Sequence, residues 1–566
     1  MPVNWLQWFS QSWVQISILL LIGLQAFFSN MTLSLFGETE GLYANVTHHM
    51  MAGGDYFSIT MPEGPYFNKP PLFFWIQAAL VHGFGWSEAA IRLPSALASL
   101  GTMITSYFLG RFLFSSFAGF WAALVVGTCY AGLWFGPLGI IDPVLTFCMT
   151  VGMYALVRAY FEASAEWWYV VAFVAFSCGT MVKSFHGLAL PLVIFGLFLI
   201  MQRETRPLRS RWFWCGVITC GLLLTGYFFL MSQEFRDHFI YKENLWRLVA
   251  QVGDEKHSAL EAYWGKRPIH WYGYTIWFDL FPWSVLLPVG LFLLWKQGPW
   301  PQVPRECWVW VWAVGYFLAL SLVPEKHERY LLPLVPAMGL VVGFLFHRLW
   351  VEPPIGDIPI KALRIFIGFA GIAFVVVAFL GPVLLHKKWH ASMDIIPLPM
   401  QICLGILGIL VIGLAFRARL NEAVLGVGVL GLALMVTVTE CVIPGILEKG
   451  SPRQVVQDIQ QGSSWPTEPI LGFQAWDWRG DEDVFYMDSF HGHSRLVAEN
   501  QPREIATQQL IQEISLGRRV KILMTEEQLQ HLGSDAPELD AEILMEFYRS
   551  KKRIVWVSLK EKNGRG

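Results

Sequence analysis

Charge is scarce in this chain. Asp, Glu, Lys and Arg make up 15% of its 566 residues, against about a quarter in soluble globular domains. An ordinary soluble enzyme is thereby excluded. The 54% hydrophobic content falls in uninterrupted runs through the first four-fifths of the sequence, as expected of a polytopic membrane protein. Cysteine is missing from every large polar segment. The eight present (Cys129, Cys148, Cys178, Cys215, Cys220, Cys307, Cys403 and Cys441) lie within or at the edges of apolar runs and read as small packing residues. A disulfide framework and a cysteine metal site are both set aside on that ground. No basic residue precedes the first apolar run and no small-residue cleavage pattern follows it, so a retained helix is expected there rather than a signal peptide. No glycine-rich phosphate loop is found. The net charge of -2 points to no partner, and no nucleic acid is expected.

What is present is an aromatic-rich series of membrane spans. The 27 Trp and 42 Phe suit a chain with many interfacial positions. Windows of about 20 apolar residues place spans near 14-34, 89-110, 114-135, 142-162, 168-183, 187-202, 212-231, 273-295, 306-323, 331-349, 364-385, 397-416 and 423-445, about thirteen crossings. One alternate set of loops is short and basic, holding Arg111, Arg158, Arg203, Arg206, Arg209, Arg211, Lys296, Arg305, Arg348, Lys361, Arg364, Arg417 and Arg419. Those loops are expected in the cytoplasm. The longer, mixed-charge set, 35-88, 232-272, 324-330, 386-396 and the tail, is expected outside, which makes the N-terminus cytoplasmic. In the first outer loop, 40-52 and 70-84 have helical character. Both are read as interfacial helices, because counting 70-84 as a span would put the basic loops outside. Residues 1-446 then form the membrane domain. From 447 to 566 strands near Glu468–Phe473, Asp483–Met487, Arg519–Met524 and Arg553–Leu559 alternate with helices near Pro452–Gln461, Pro502–Leu516 and Thr525–Leu532, a small outer α/β domain. His491 and His493 in it read as surface-loop residues.

Several residues of the outer face could carry chemistry. Glu38 and Glu40 follow the first span; a carboxylate at a partly dry interface gains proton affinity and can act as a general base. Glu40, at the start of a helix, is favoured over Glu38, with solvated interfacial carboxylates as the plain alternative. Asp142 precedes Pro143 at the outer end of a span. It reads equally as an N-cap and as an ionisable residue held at membrane depth for function. Cations recur outside against the usual bias: Lys69, Arg92, Lys183, His186, Lys242, Arg247, Lys326, His327 and Arg329. Singly they read as snorkelling anchors. Together they suggest an anion site, with phosphate the obvious anion.

The motifs Glu38-Thr-Glu-Gly-Leu-Tyr-Ala44, Gly53-Gly-Asp-Tyr56, Tyr66-Phe-Asn-Lys-Pro-Pro-Leu72 and Ile91-Arg-Leu-Pro-Ser-Ala-Leu97, in that order, resemble the first outer loop of C-type glycosyltransferases. The resemblance is to the bacterial branch containing lipid A aminoarabinose transferases and relatives of protein O-mannosyltransferases. Ile141-Asp-Pro-Val-Leu-Thr146, Lys183-Ser-Phe-His-Gly-Leu-Ala-Leu-Pro191, Glu243-Asn-Leu-Trp-Arg247, Phe281-Pro-Trp283 and Lys326-His-Glu-Arg-Tyr-Leu-Leu-Pro333 extend it over the membrane part. The chain departs from the pattern at Thr39, where the family commonly has Asp, at Leu42, where it has Arg, and at Ser184-Phe185, where Gly-Pro follows the lysine. The base therefore stays open between Glu40 and Glu38.

The resemblance implies transfer of a sugar from a polyprenyl-phosphate carrier to a lipid A, other glycolipid, glycan or protein acceptor, at the periplasmic face of a bacterial inner membrane. A carboxylate would take the acceptor's proton in one inverting step. Lys69, Arg247, Lys183, Lys326, His327 and Arg329 would hold the departing phosphate, and Asp142 would orient the acceptor or support a cation. Tyr43, Tyr66, Arg92, His186 and Tyr330 would shape the loop or the substrate pocket. No cofactor is required, a divalent cation between Glu40 and Asp142 stays compatible, and a monomer is expected. A glycan polymerase or ligase using a diphosphate donor, a flippase or transporter, and a non-catalytic membrane sensor are the competing readings.

Overall fold

The computed structural model describes residues 11–35, 37–61, 64–241, 267–297, 302–323, 326–352, 356–389, 394–417 and 420–447. In the C-terminal part it describes 471–473, 495–497, 520–525, 529–530, 532, 539–549 and 552–561. In chain order the main helices are α1 (Ser12–Phe28), α2 (Gly37–Gly53), α3 (Leu72–Phe84), α4 (Glu88–Leu113), α5 (Ser116–Thr128), α6 (Tyr130–Phe135), α7 (Ile141–Phe161), α8 (Trp168–Val182) and α9 (His186–Gln202). They continue as α10 (Arg211–Leu230), α11 (Trp271–Asp279), α12 (Leu287–Lys296), α13 (Pro304–Leu322), α14 (Val335–Trp350), α15 (Asp357–Trp389), α16 (Leu398–Phe416) and α17 (Leu420–Thr437). The chain divides into two compact units. The first holds Met1–Met31, His49–Leu384 and Met393–Ile443, and the second Thr32–His48, Leu385–Ser392 and Pro444–Gly566.

Among its described residues the first unit is helical, apart from a short hairpin that pairs β1 (Thr60–Met61) with β2 (Gly64–Pro65). Among the described residues six helices are long and apolar enough to cross a membrane: Ile141–Phe161, Arg211–Leu230, Glu328–Trp350, Asp357–Lys387, Leu398–Phe416 and Leu420–Leu447. The other expected positions hold shorter or more polar helices. The span expected over 273-295 is a bent pair: α11 meets Trp283–Lys296 at 114°, and Pro282, which cannot donate a helix hydrogen bond, lies in the break. α3 has 13 residues, about 20 Å at 1.5 Å per residue, too short to cross a bilayer core of about 30 Å.

Burial differs sharply between spans. Over its most apolar 18 residues the Glu328–Trp350 helix is 94% buried, whereas the same stretch of Arg211–Leu230 is 17% buried, and that helix turns Leu222, Phe229 and Leu230 outward, as a lipid-facing helix should. The helices of this unit pack closely where their contact residues are small. A Cβ placed on Gly339 would stand 2.5 Å from the Ala122 carbonyl, and one on Gly110 would stand 2.8 Å from the Gly119 Cα. Without a hydrophobic force between helices in lipid, such close backbone approach supplies the dispersion contact that holds them. Trp121 stacks on Phe346 at 3.9 Å. The buried Trp283 indole donates to Thr128 Oγ1 at 2.9 Å, so its polar tip is satisfied. Ser87 and Ser115 cap α4 and α5 by accepting from Ala90 and Ala118 N–H, satisfying orphan donors of each first turn.

In the second unit, part of α2 carries the buried residues Glu40, Tyr43, Ala44, Val46 and Thr47. Its C-terminal segment forms one mixed five-stranded sheet from β3 (Leu471–Phe473), β4 (Arg495–Val497), β5 (Val520–Thr525), β6 (Leu539–Arg549) and β7 (Lys552–Glu561), in the order β4-β3-β5-β7-β6. β3 pairs in parallel with β4 and β5, while β7 pairs antiparallel with β5 and β6. Three expected strands meet described ones. β4 and β6 are additional. In β6 a register irregularity at Ile543/Met545 breaks the period-two alternation that a sequence reading relies on. The expected strand Asp483–Met487, the expected helices at 452-461 and 502-516, and His491 and His493 lie outside the described residues.

Candidate active site

The first unit builds a charged centre at the start of α7. Ser95 Oγ donates to the Ile140 carbonyl at 2.7 Å and Ser99 Oγ to the Gly136 carbonyl at 3.0 Å, so α4 pins the turn that leads into the helix. Ile140 is extended and makes no side-chain cap. Asp142 stands in the first turn, where the helix dipole favours a carboxylate. It is 1% exposed and does not serve as the cap.

Its two oxygens are treated differently. Oδ1 accepts from Lys183 Nζ at 2.5 Å, while Arg329 Nε lies 3.6 Å from Oδ2, which is buried and makes no hydrogen bond. Lys183 ends α8 and is also buried. Its ammonium lies 4.1 Å from the centroid of the Tyr330 ring, a cation–π contact strengthened by desolvation. His186 touches Ser184 through Nδ1. Lys69 donates to the Asn68 carbonyl at 2.7 Å and is near enough for its charge to act on both Lys183 and His186. Lys183 and Arg329 therefore act on one carboxylate, Lys69 acts on Lys183 in turn, and the surplus is positive.

The 326-330 segment is braced from behind. Lys326 is buried, its Nζ donating to the Val323 carbonyl at 2.7 Å and the Arg267 carbonyl at 3.5 Å. Burial lowers its pKa. Arg267 donates back to the Lys326 carbonyl and stacks over Trp271 at 4.4 Å. Tyr272 donates its hydroxyl to the His327 carbonyl at 3.0 Å and accepts from the His327 N–H at 3.2 Å. The His327 ring meets Tyr330 edge-on at 5.0 Å.

The expected site residues thus fall into groups. Asp142, Lys183, Arg329 and Tyr330 come together, with Lys69 and His186 near them. Lys326 is drawn onto backbone carbonyls. Arg92 is 1% exposed and donates to the Asn30 carbonyl at 2.9 Å, tying α4 to the end of α1. Tyr66 is buried, its N–H on the Ile59 carbonyl and its ring 5.9 Å from Phe74. Glu40 and Tyr43 are buried in the second unit. Glu38 lies on α2 with its side chain outside the described residues, and Arg247 is outside them altogether. Among the described residues no three His, Cys, Asp or Glu side chains converge as metal ligands. Two buried polar residues went unnoticed, Asp279 and Thr275, with Glu328 beside them. An acid inside the 273-295 apolar run was the available signal.

Comparison with known proteins agrees with this architecture. Residues 68–227 match the dolichyl-phosphate-mannose-protein mannosyltransferase family. The undecaprenyl phosphate-alpha-4-amino-4-deoxy-L-arabinose arabinosyl transferase of Edwardsiella ictaluri is 26% identical over 355 residues, 60% of this chain and 60% of its own length. The Yersinia pestis protein of the same name is 24% identical over 320 residues, 55% of each. The matched stretch thus spans little more than half of the curated relatives. The crystal structure of ArnT from Cupriavidus metallidurans bound to undecaprenyl phosphate aligns with a TM-score of 0.70 at 19% identity, covering 98% of both chains. The chain shares its fold with that structure. Within that fold it resembles the aminoarabinose transferase branch.

Proposed function

We propose that this protein is a glycosyltransferase that moves a sugar from a polyprenyl-phosphate donor to an acceptor at the outer face of the bacterial inner membrane. The observation that carries the reading is the positive surplus at Asp142, where Lys183 and Arg329 face a single carboxylate and Lys69 is near enough to act on Lys183. Such a centre suits a phosphate whose charge grows as the sugar leaves, and preorganised cations stabilise that transition state most. The donor arrives activated, so no nucleotide is needed and the scheme uses no resident cofactor. Lys183 is held by Asp142 and Tyr330, which fixes its ammonium at one point instead of leaving four side-chain torsions to be frozen on binding.

Glu40 or Glu38 takes the acceptor's proton while the acceptor attacks the anomeric carbon opposite the phosphate, giving inversion. Asp142 acts in this scheme as the residue that holds Lys183 and Arg329. The prenyl tail lies against the apolar helix faces, where remote burial adds affinity at roughly 25 cal/mol per Å². The named relatives favour undecaprenyl phosphate as carrier and lipid A or a similar envelope lipid as acceptor. About thirteen crossings, a cytoplasmic N-terminus, a periplasmic C-terminal α/β domain and a monomeric state belong to the same proposal.

The test is transfer from a radiolabelled polyprenyl-phosphate sugar in membranes containing the full chain. Loss of transfer in the Glu38→Gln, Glu40→Gln double variant, with the protein still folded, is expected. Full transfer by that variant removes the assigned base. Transfer from a diphosphate donor alone replaces the reading with that of a polymerase or ligase.

A further inference from the structure

Two exposed apolar stripes run onto one basic loop. On α9 the stripe is Val193, Leu197 and Ile200, and on α10 it is Trp214, Ile218 and Leu222. Each set recurs at helical spacing and therefore lies along one side of its helix. Both helices pack against α8. The segment that joins them carries Arg203, Arg206 and Arg209, and Arg211 opens α10. The two acids beside this segment are already engaged. Glu204 Oε1 accepts from the Arg206 N–H at 2.8 Å, and Glu166 Oε2 accepts from Ser210 Oγ at 2.7 Å.

The loop is pinned at both ends. Arg206 donates to the Tyr160 carbonyl at 2.5 Å and stands 5.3 Å over the Tyr160 ring. The Trp214 indole donates to the Leu208 carbonyl at 2.9 Å, which ties the loop to the first turn of α10. Arg203 adopts the left-handed backbone at φ 53°, a helix-ending position that glycine usually fills. These bonds leave the guanidinium groups of Arg203, Arg209 and Arg211 exposed. None of the three pairs with a carboxylate among the described residues. Leu208 and Trp212 are exposed between them, and Arg211 lies 5.5 Å over the Trp212 ring. Apolar bodies set among charged tips suit the boundary between headgroups and acyl chains.

We infer that this loop binds the head of an anionic phospholipid, with Arg203, Arg209 and Arg211 on its phosphate and the two acyl chains along the stripes of α9 and α10. Charge complementarity selects the occupant. A zwitterionic head brings a cation of its own against three cations, whereas an anionic head does not. An acidic protein segment would match the arginines and leave the apolar stripes without a use. The inference requires only that the chain lies in a membrane; it is independent of the sugar, the acceptor and the base.

Native mass spectrometry of the full-length protein, delipidated in detergent, tests it with dioleoyl phosphatidylglycerol and dioleoyl phosphatidylcholine, which differ only in the head. The first is expected to bind at least about tenfold tighter, since each basic residue near an anionic head is worth about fivefold. The Arg203→Gln, Arg209→Gln, Arg211→Gln variant is expected to lose most of that preference, and the same three positions changed to Lys are expected to keep it. Lys296→Gln, Lys361→Gln, Arg417→Gln removes equal charge from other basic loops and is expected to leave the preference unchanged. Equal affinity for the two lipids overturns the inference and leaves the loop to an acidic protein segment. An unchanged preference in the loop variant overturns it too. So does an equal loss in both glutamine variants, which would make net charge, and not this loop, the cause.

Discussion

Asp142 and Lys183 are each costly to remove alone and less so together. Their pair is buried at 2.5 Å, and taking away one partner leaves the other charge uncompensated, a penalty of about 3–5 kcal/mol. Lys183→Met is therefore expected to lower the melting temperature in detergent by several degrees and to reduce transfer at least about 100-fold. The Asp142→Leu, Lys183→Met double variant is expected to regain much of that stability, since a buried pair replaced by apolar residues is often neutral, yet to stay inactive. Recovery of both properties in the double variant contradicts a role for Lys183 in holding phosphate. Tyr330→Leu removes the ring beneath the same ammonium and is expected to cost about 1–2 kcal/mol, while Tyr330→Phe keeps most of it; thermal unfolding of the pair separates the ring from its hydroxyl. The residue types were legible beforehand. Which atoms Lys326 bonds was not, because a lysine that snorkels and one that closes a loop on backbone carbonyls look alike in sequence.

At the scale of the element, the seam between α5 and α14 depends on residues with almost no side chain. Gly339→Leu forces a branched chain into space already occupied by the Ala122 backbone, and overpacking of this kind costs about 1–3 kcal/mol or more. The expected result is a lower yield of folded protein and a reduced melting temperature; wild-type stability in that variant would show that the helices are free to separate there. Long apolar runs made most helices readable in advance. The break at 280-283 was not, since the run continues through Pro282 and hydropathy carries no information about direction. Two strands escaped notice for a related reason: β4 has three residues, and β6 loses its alternation at the bulge.

For the whole molecule, orientation is the property open to a direct test. The basic loops are expected on the cytoplasmic side. A cysteine introduced at Glu204 should therefore stay unlabelled by a membrane-impermeant maleimide in intact cells, and one at Asp394 should react. The reverse pattern would invert the proposed topology and move the charged centre to the wrong face. The natural cysteines call for a cysteine-free background, because Cys215 and Cys403 are exposed on their helices.

Sequence alone determined that the chain lives in a membrane, where its apolar runs begin and end, and which polar segments between them carry acids and cations. These follow from transfer energies and charge placement, which act residue by residue along the chain. Only the tertiary structure decided that Lys183, Arg329 and Tyr330 gather around Asp142, that Lys326 turns inward, and that Asp279 and Thr275 are buried without partners. Those facts come from packing between helices distant in sequence, where small residues, broken spans and backbone carbonyls set which side chains meet.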